Sequence, residues 1–532
     1  MKKILILFFF LQLCQIAKLQ VVILDNSLEI NKILNLESDA IRIAENPVNG
    51  KLYYSTISGN IYEINLESES TKLISSTADH DLSNVQGFTI GPDGTYYIVA
   101  TIEDGAYETG YIKKGDFNGT SVNWNLLAKT EQYIAGSGRD HQLNEAIVTR
   151  DSAYLLVNIG SRSDHGEENA GFREIPITSC IVKIPIDSNN LILYNDSTLL
   201  APYFFADGVR NTFDMAFAPD GKLFGLENSD TRDNHEEMNW LQQGHHYGFP
   251  WRMGIYDNPQ QFPDFDPPTS DPLLVEGINM ESTFHKDPDF PKPIAGISFT
   301  DPVLNSGPDN DKYRDPVTGE IKDGSDNGEL VGSFTPHSSP LALTFDVDSL
   351  LPDKFKGKGF YMSYNSSTLK KYAPFNDPGE DLCLIDLYTE LDDETTYYAG
   401  ITRIAEGFSH PVDAVSSGQN IYIIETAGGS LYKVSFTSIG TDFIENTRTN
   451  NNSITICCYN SRVYIKSDDY LSGLIKISVF TTQGILVQQK TVSANNATTR
   501  NLEMQLDNLK KGIYIITVEN ENNFNTSKYL NL

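Results

Sequence analysis

The hydrophobic positions of this chain lie in short runs, alternating with polar positions and separated by turn residues. One unit recurs: an apolar strand, a tight turn, and a second strand rich in β-branched or aromatic residues. Turns such as Pro92-Asp93-Gly94 and Pro219-Asp220-Gly221 contain residues that tolerate the positive φ of a two-residue hairpin turn. Six such hairpins are found, at residues 41–66, 88–101, 146–160, 215–228, 343–364 and 413–436.

Six similar hairpins predict an all-β fold. One small sheet cannot bury both of its faces, whereas sheets stacked around an axis cover one another and leave only short edges. We therefore expect a six-bladed β-propeller over residues 21–439, with a pair of packed sheets as the alternative. The segment 251–336 is dense in Pro, Asp and Gly and is expected to form loops or a cover.

The pattern changes after a polar, Asn- and Thr-rich linker at residues 440–454. Short alternating strands then follow about ten residues apart, which is typical of a small β-sandwich. We expect this second domain to cover residues 455–532. An adhesive or carbohydrate-binding sandwich is one interpretation of it.

Residues 1–20 have the pattern of a signal peptide. Lys2 and Lys3 precede an apolar stretch, Ile4 to Leu13, that is too short to span a bilayer. The mature protein is therefore expected outside the cytoplasm.

Charge and cysteine content narrow the possible partners. The chain has 40 Lys and Arg residues against 71 Asp and Glu residues, a formal net charge of -31, so nucleic acid is not an expected partner. Five cysteines in 532 residues are too few for a disulfide framework. No C-x-x-C spacing or H-E-x-x-H helix indicates zinc.

Two runs in the second domain carry a resemblance. I-K-I-S-V-F-T-T-Q-G at residues 475–484 and L-K-K-G-I-Y-I-I-T-V at residues 509–518 resemble the C-terminal sorting domains of Bacteroidetes type IX secretion substrates. The resemblance implies that the type IX secretion machinery is a partner and that the protein is secreted or held at the cell surface.

A second resemblance covers residues 41–436. The stretch 208–251 contains G-V-R-N, a Pro-Asp-Gly hairpin, E-N-S and Y-G-F-P-W, and it resembles the glucose/sorbosone dehydrogenase family in order and spacing. Arg139-Asp140-His141-Gln142 is similar to the D-H-Q segment of that family's quinone-dependent members. The resemblance implies a soluble sugar dehydrogenase that uses pyrroloquinoline quinone (PQQ).

The resemblance also implies roles for individual residues. His141 would be the catalytic base, oriented by Asp140, because a neutral imidazole can take the sugar hydroxyl proton near physiological pH. Arg210 would hold negative charge that develops on the quinone, and Asn211 would bind the cofactor edge. Both could instead simply pin a turn.

Further residues are candidates to supply the positive charge and the metal ligands that PQQ requires. Lys370 and Lys371 could supply positive charge to the cofactor, or they could be solvated. By alignment with the family, backbone carbonyl oxygens near Ser229 and Asp230 would hold the cofactor's Ca²⁺, while Glu237 and the Tyr247 carbonyl match a structural Ca²⁺ site.

Three departures from the family pattern concern cofactor binding. Ser229-Asp230 stands where the family has Gly-Pro. Phe213 occupies the place of a family glutamine, and Asp346 appears where a cofactor-binding lysine is expected. The sequence thus predicts oxidation of an aldose at its anomeric carbon to the lactone, with electrons passed to an external acceptor. A non-catalytic surface propeller that binds glycan or protein and a Ca²⁺-dependent lactonase are the alternatives.

Overall fold

The computed structural model describes most of the chain. The described residues are 21–136, 141–168, 171–264, 271–274, 286–365, 375–390, 393–437, 454–459, 462–467, 473–481, 485–494, 501–506, 512–519 and 524–531. The expected signal peptide, Asp140, Lys370, Lys371 and nearly all of the expected linker lie outside them. The chain divides into a first unit, residues 1–325 and 329–438, and a second unit, residues 326–328 and 439–532.

The first unit is built almost entirely from strands, as the sequence predicts. Its described strands are β1 (Val22–Ile23), β2 (Leu28–Asn35), β3 (Ala40–Asn46), β4 (Lys51–Thr56), β5 (Ile61–Asn65), β6 (Ser70–Ser75), β7 (Val85–Ile90), β8 (Tyr96–Asp104), β9 (Tyr107–Phe117), β10 (Val122–Thr130), β11 (Tyr133–Ile134), β12 (Leu143–Val148), β13 (Tyr154–Ile159), β14 (Cys180–Pro185), β15 (Leu191–Leu193), β16 (Phe204–Asp207), β17 (Thr212–Phe217), β18 (Leu223–Glu227), β19 (Glu237–Leu241), β20 (Arg252–Met253), β21 (Tyr256–Asp257), β22 (Leu304–Pro308), β23 (Lys312–Arg314), β24 (Ile321–Asp323), β25 (Pro340–Phe345), β26 (Gly359–Ser363), β27 (Asp381–Glu390), β28 (Asp393–Glu406), β29 (Pro411–Ser417), β30 (Asn420–Glu425) and β31 (Ser430–Phe436).

Helices are short where the structure describes them. They are α1 (Thr77–His80), α2 (Ser197–Leu200) and α3 (Gly324–Asn327), with 3-10 turns at Ala201–Tyr203 and Pro259–Gln261. Among the described residues, no helix combines the length and the apolar character needed to cross a membrane.

Within the described residues, six sheets of three or more strands follow one another along the first unit. They have the orders β3-β4-β5-β6, β7-β8-β9-β10-β15, β12-β13-β14-β16, β17-β18-β19, β25-β26-β27-β28-β1 and β29-β30-β31-β2, with β11 also paired to β9 and β22 to β28. The six predicted hairpins correspond to the first two strands of these sheets. β2 completes the last sheet, pairing Leu28 with Phe436, so the two ends of the unit lie in one sheet.

The first strands of the sheets form a closed ring. β3 contacts β7, β7 contacts β12, β12 contacts β17, β17 contacts β25, β25 contacts β29, and β29 contacts β3. We call these six the inner strands. A hydrophobic cluster fills the space between each neighbouring pair of sheets, so each sheet has apolar side chains on both faces.

Every inner strand carries a register shift in its first half. The shifts lie between Ala40 and Arg42, Val85 and Gly87, Leu143 and Ala146, Thr212 and Asp214, Pro340 and Ala342, and Pro411 and Asp413. A bulge leaves its extra residue outside the ladder and re-aims the neighbouring side chains. Because each inner strand has its bulge in its first half, backbone groups that are not paired within the sheets surround the axis.

The second unit contains two sheets in its described residues, β32-β33-β36 and β35-β34-β37-β38. Its strands are β32 (Ile454–Tyr459), β33 (Arg462–Ser467), β34 (Gly473–Thr481), β35 (Leu486–Ala494), β36 (Asn501–Gln505), β37 (Gly512–Glu519) and β38 (Phe524–Asn531). Ile475, Ile477 and Val479 alternate along β34 and are fully buried, as are Ile516 and Val518 on β37. The alternation shows that one face of this sheet is covered.

Candidate functional site

The predicted catalytic residues His141 and Arg210 lie at the same end of the ring. Each precedes an inner strand, β12 and β17 respectively, and the inner strands run in the same direction around the axis. His141 N donates to Ser161 O at 3.0 Å, and Ser161 N donates to Arg210 O at 2.7 Å. Ser161 therefore joins the two residues. We call this end of the ring the site end.

A glycine allows His141 to approach the end of β13. A Cβ atom on Gly160 would lie 2.5 Å from the His141 Cβ, closer than two carbon atoms can approach. Gly160 N also donates to Gln142 O at 2.7 Å, which ties the two segments together through the backbone. The position of the histidine thus depends on the absence of a side chain at residue 160.

The hydrogen bonds of Ser161 determine which tautomer His141 adopts when neutral. Ser161 Oγ donates its one proton to Ser163 O at 2.8 Å. It must then accept toward His141 Nδ1, which lies 3.1 Å from it, while Ser161 O lies 3.3 Å from the same nitrogen. The proton is on Nδ1, and the lone pair is on Nε2, where a general base needs it. The family resemblance gives the orienting role to Asp140, which lies outside the described residues, whereas Ser161 carries no sequence signal for such a role.

Arg210 is held by a carboxylate that the sequence analysis did not single out. It is 3% exposed. Its Nη2 donates to Asp164 Oδ1 at 2.6 Å, its Nε to Asp164 O at 2.9 Å, and its Nη1 to Asn228 O at 2.9 Å. These contacts use three of the five guanidinium N–H groups and give the positive charge a buried partner.

Asn211 belongs to a row of buried amides. Asn144 Nδ2 donates to Asn211 Oδ1 at 2.5 Å, and Asn211 Nδ2 donates to Asn228 Oδ1 at 3.0 Å. Asn158 Nδ2 extends the row by donating to Asn144 Oδ1 at 2.9 Å. The row links β12, β13 and the ends of the next sheet, so Asn211 has a structural role whatever else it binds.

His165 forms a second charged centre beside Asp164. Thr231 Oγ1 donates to Asp164 Oδ2 at 2.8 Å and therefore accepts from His165 Nε2 at 2.9 Å, while His165 Nδ1 lies 3.0 Å from Glu167 Oε1. Burial lowers the pKa of His165, but the carboxylates of Asp164 and Glu167 outweigh it and raise that pKa to about 9. The ring is a cation at neutral pH.

The residues predicted to hold the catalytic Ca²⁺ lie in a loop that satisfies its own polar groups. Ser229 N donates to Glu236 Oε2 at 2.6 Å. Asp230 accepts from Arg232 N at 2.8 Å and from Asn234 Nδ2 at 2.9 Å. Asp230 is buried and Ser229 is half-buried, and protein donors order both residues.

The residues predicted for the structural Ca²⁺ site also have protein partners. Glu237 accepts from Gly254 N at 2.5 Å and from Asn239 Nδ2 at 2.8 Å, and burial beside Glu227 raises its pKa. Tyr247 donates its hydroxyl to Trp240 O at 2.7 Å. In the described part of the chain, no group of three or more His, Cys, Asp and Glu side chains is arranged to hold a metal ion.

Two departures from the family pattern, Phe213 and Asp346, lie at different places along the ring, Phe213 within β17 and Asp346 beyond the end of β25. Phe213 is the bulged residue of β17, and its ring centroid is 4.2 Å from the guanidinium carbon of Arg42. Asp346 follows β25, at the opposite end of the ring from His141, and accepts from Leu350 N at 2.8 Å and Gly357 N at 2.9 Å. Asp346 organises a turn there.

A family model matches the end of the chain, which belongs to the second unit. Residues 459–530 match the model of the secretion system C-terminal sorting domain. These residues are a sorting domain. The protein is therefore exported by type IX secretion to the cell surface or beyond it, as the sequence predicts.

Comparison with curated proteins gave no match. Among solved structures, the chain is similar to apo aldose sugar dehydrogenase from Escherichia coli, with 12% identity, a TM-score of 0.49, and coverage of 77% of this chain and 99% of that one. PQQ-bound aldose sugar dehydrogenase from Streptomyces coelicolor has 12% identity, a TM-score of 0.44, and coverage of 78% and 98%.

The holo PQQ domain of pyranose dehydrogenase from Coprinopsis cinerea has 14% identity, a TM-score of 0.47, and coverage of 78% of this chain and 97% of that one. At these identities, the chemistry of this chain has to be argued from its own residues.

Proposed function

We propose that the first unit is a six-bladed β-propeller, that the second is a β-sandwich sorting domain, and that the exported protein is a PQQ-dependent aldose dehydrogenase. The closed ring of inner strands supports the propeller. The observation that carries the activity is the pairing of His141, whose Nε2 bears the lone pair, with the buried cation Arg210 on either side of Ser161. A base and a cation at one end of a propeller suit removal of a hydroxyl proton beside a developing anion.

The described residues fit the edge of a quinone. Beyond its three bonds, the Arg210 guanidinium has two further N–H groups, and the Asn211 amide has one N–H beyond its bond to Asn228. Ser338, which precedes β25 at the same end, is 1% exposed, and its Oγ has no hydrogen-bond partner within the described residues. An orphaned buried hydroxyl at this place is consistent with a polar ligand.

The carboxylates of PQQ and its Ca²⁺ require further groups. Since Asp164 already pairs with Arg210, we assign charge for the cofactor to Lys370 and Lys371, outside the described residues, and the Ca²⁺ to carbonyl oxygens of Ser229 and Asp230. The chemistry that PQQ would supply when held there is that of a hydride acceptor, with an external acceptor as the final destination of the electrons.

The protein's own residues have three tasks. His141 Nε2 takes the proton of the anomeric hydroxyl, while Ser161 keeps the other ring proton on Nδ1. Asp164 keeps the Arg210 guanidinium in one orientation, so the cation is in place before the reaction begins and no reorganisation is needed. Arg210 is buried and His141 is half-buried, which limits the access of water to the reacting atoms.

The decisive experiment is a titration of the purified mature protein with PQQ in the presence of Ca²⁺, followed by quinone absorbance, and then dye reduction with a panel of aldoses. Saturable quinone binding and sugar-dependent dye reduction are expected. Absence of quinone binding would overturn the proposal.

A second candidate is a non-catalytic surface propeller that binds a glycan. The Arg210–Asp164 pair favours it, because a cation that already has a buried counter-ion gains less from an anionic cofactor. It predicts binding of a sugar, seen by calorimetry, in protein that takes up no quinone.

A further inference from the structure

A cavity of about 670 Å³ lies at the end of the ring opposite His141. All six inner strands line it with residues that follow their bulges, and its rim includes the exposed Pro47, Arg150, Val347 and Gly418. Its volume is within the range of small-molecule sites. None of the residues assigned to the dehydrogenase reaction lines it, so what it binds is independent of the proposed function.

The floor of this cavity is the side chain of Arg42, which crosses the axis from β3. Its Nε donates to Gln86 O at 2.8 Å and its Nη2 donates to Phe213 O at 2.5 Å. Gln86 and Phe213 are the bulged residues of β7 and β17, so Arg42 satisfies carbonyl groups that the bulges remove from the sheets.

The remaining amino group of Arg42 faces Glu145 without a well-formed hydrogen bond. Arg42 Nη1 and Glu145 Oε2 are 3.0 Å apart and form an ion pair, yet neither atom has a partner that meets hydrogen-bond geometry. Arg42 is 1% exposed and Glu145 is 5% exposed. Two buried charged atoms in the cavity wall therefore have capacity for another ligand.

Two more carboxylates share the one cation. Asp413 on β29 accepts from Ile43 N at 2.7 Å and Ala414 N at 2.9 Å, and Asp214 on β17 accepts from Leu343 N at 2.5 Å and Met215 N at 2.7 Å. Burial raises the pKa of Glu145 to about 8 and that of Asp413 to about 6, and the pKa of Asp214 is raised as well. One guanidinium does not keep three buried carboxyl groups ionised.

Besides Arg42, the described residues that line the cavity include the cation Arg150, whose guanidinium is engaged by another group. β7 contributes Phe88, Thr89 and Ile90, and β25 contributes Leu343, Thr344 and Phe345. Glu45, Arg150, Asp346 and Asp348 complete the charged lining. Arg150 donates to Ala218 O at 2.7 Å beside the ring of Phe217.

We propose that this cavity binds a compact organic cation, a protonated amine, with Glu145 as its carboxylate partner. A metal ion suits the cavity less, because both oxygens of Asp214 and Asp413 already accept backbone N–H groups and the described residues offer no metal-ligand cluster. An ammonium group needs only one carboxylate and a few single acceptors. The positive charge of the bound amine takes the place of a proton that the three buried carboxyl groups otherwise retain.

The test is calorimetric titration of the mature full chain with 1,4-diaminobutane at pH 8.5 and pH 6.0 in 0.15 M NaCl, which screens exposed carboxylates. One site is expected. Since the amine is protonated at both pH values and Glu145 is not ionised at the lower one, the affinity at pH 6.0 should be about tenfold or more below that at pH 8.5.

Variants separate the cavity from the acidic surface. Glu145→Gln should lose about tenfold or more in affinity at pH 8.5 and should lose the pH dependence, whereas the matched variant Glu67→Gln, at an exposed carboxylate of the first sheet, should bind like the wild type. Butane-1,4-diol, which lacks the charge, should not bind.

The proposal fails if the wild type does not bind the amine at pH 8.5, or if its affinity is equal at the two pH values. It also fails if a folded Glu145→Gln variant, checked by circular dichroism, binds as tightly as the wild type. The pH comparison uses the wild type alone and therefore decides the matter even if the variant does not fold.

Discussion

Asp413 on β29 accepts the backbone N–H of Ile43 on β3 at 2.7 Å, across 370 residues of the chain. It also accepts Ala414 N, so one carboxylate fastens the last inner strand to the first. Asp214 makes the corresponding bond to Leu343 N between the fourth and fifth sheets. The ring is thus closed by side chains as well as by the pairing of β2 with β31.

Asp413→Asn should destabilise the first unit. An amide presents its N–H₂ group to one of two buried backbone donors and leaves that donor unsatisfied, at a cost of about 1–3 kcal/mol. We expect a melting temperature several degrees below wild type, measured by circular dichroism. Asp104→Asn, at an exposed position, should have the same melting temperature as the wild type. Equal melting of both variants would show that the bond to Ile43 contributes nothing.

The stability of the first unit should fall as the pH rises from about 5 to about 8. The folded-state pKa of Glu145, about 8, lies above its ordinary value of 4.5, so the folded state binds more protons in that window and loses stability as they leave. The loss for such a shift is on the order of 3–4 kcal/mol.

Chemical denaturation of the wild type and Glu145→Gln across this pH range checks the prediction. The substitution also changes the contact between residue 145 and Arg42, so the slopes are compared rather than the absolute values. The free energy of unfolding should fall less steeply with pH in Glu145→Gln than in the wild type. Parallel curves would assign the pH dependence to other groups.

His141→Gln should lower sugar-dependent dye reduction by about 10²–10⁴-fold, because a positioned general base is lost. Quinone affinity, followed by absorbance, should change little. His245→Gln is the matched control: His245 bonds to Thr300 Oγ1 at 2.9 Å, and its loss should spare turnover. Full activity of the His141 variant would place the base elsewhere.

Gly160→Ala should displace His141, because the new Cβ would lie 2.5 Å from the His141 Cβ. Turnover of the reconstituted protein should fall by about tenfold or more through loss of geometry. At Gly400 an added Cβ would meet its nearest neighbour at 3.7 Å, so Gly400→Ala tests the general cost of a methyl group in the unit. If the two variants retain equal activity, the histidine is not the group that Gly160 positions.

Deletion of residues 459–530 should stop export across the outer membrane, since these residues are the sorting domain. The shortened protein should accumulate in the periplasm, detected by fractionation and immunoblotting, while the full chain reaches the surface or the medium. Normal delivery of the shortened protein would contradict the role of the sorting domain.

Local chemistry made the strands and the export signal predictable. The hairpins follow from alternating side chains and from turns such as Pro219-Asp220-Gly221, whose conformations depend on neighbouring residues alone. The sorting domain is recognisable in the same way, through runs of ten residues. The relation of His141 to Arg210 could be anticipated because each directly precedes a predicted inner strand.

Only the tertiary structure decided the contacts between residues that are distant in the sequence. Arg42 bonds to Phe213 across 171 residues, and Arg210 pairs with Asp164 across 46 residues. Neither partner can be read from a motif, because a buried charge takes whichever carboxylate or carbonyl group the assembled sheets bring to it. The same reason applies to Ser161: a serine at the end of a strand is commonplace, and only the neighbouring loop makes it the acceptor for the Nδ1 proton of His141.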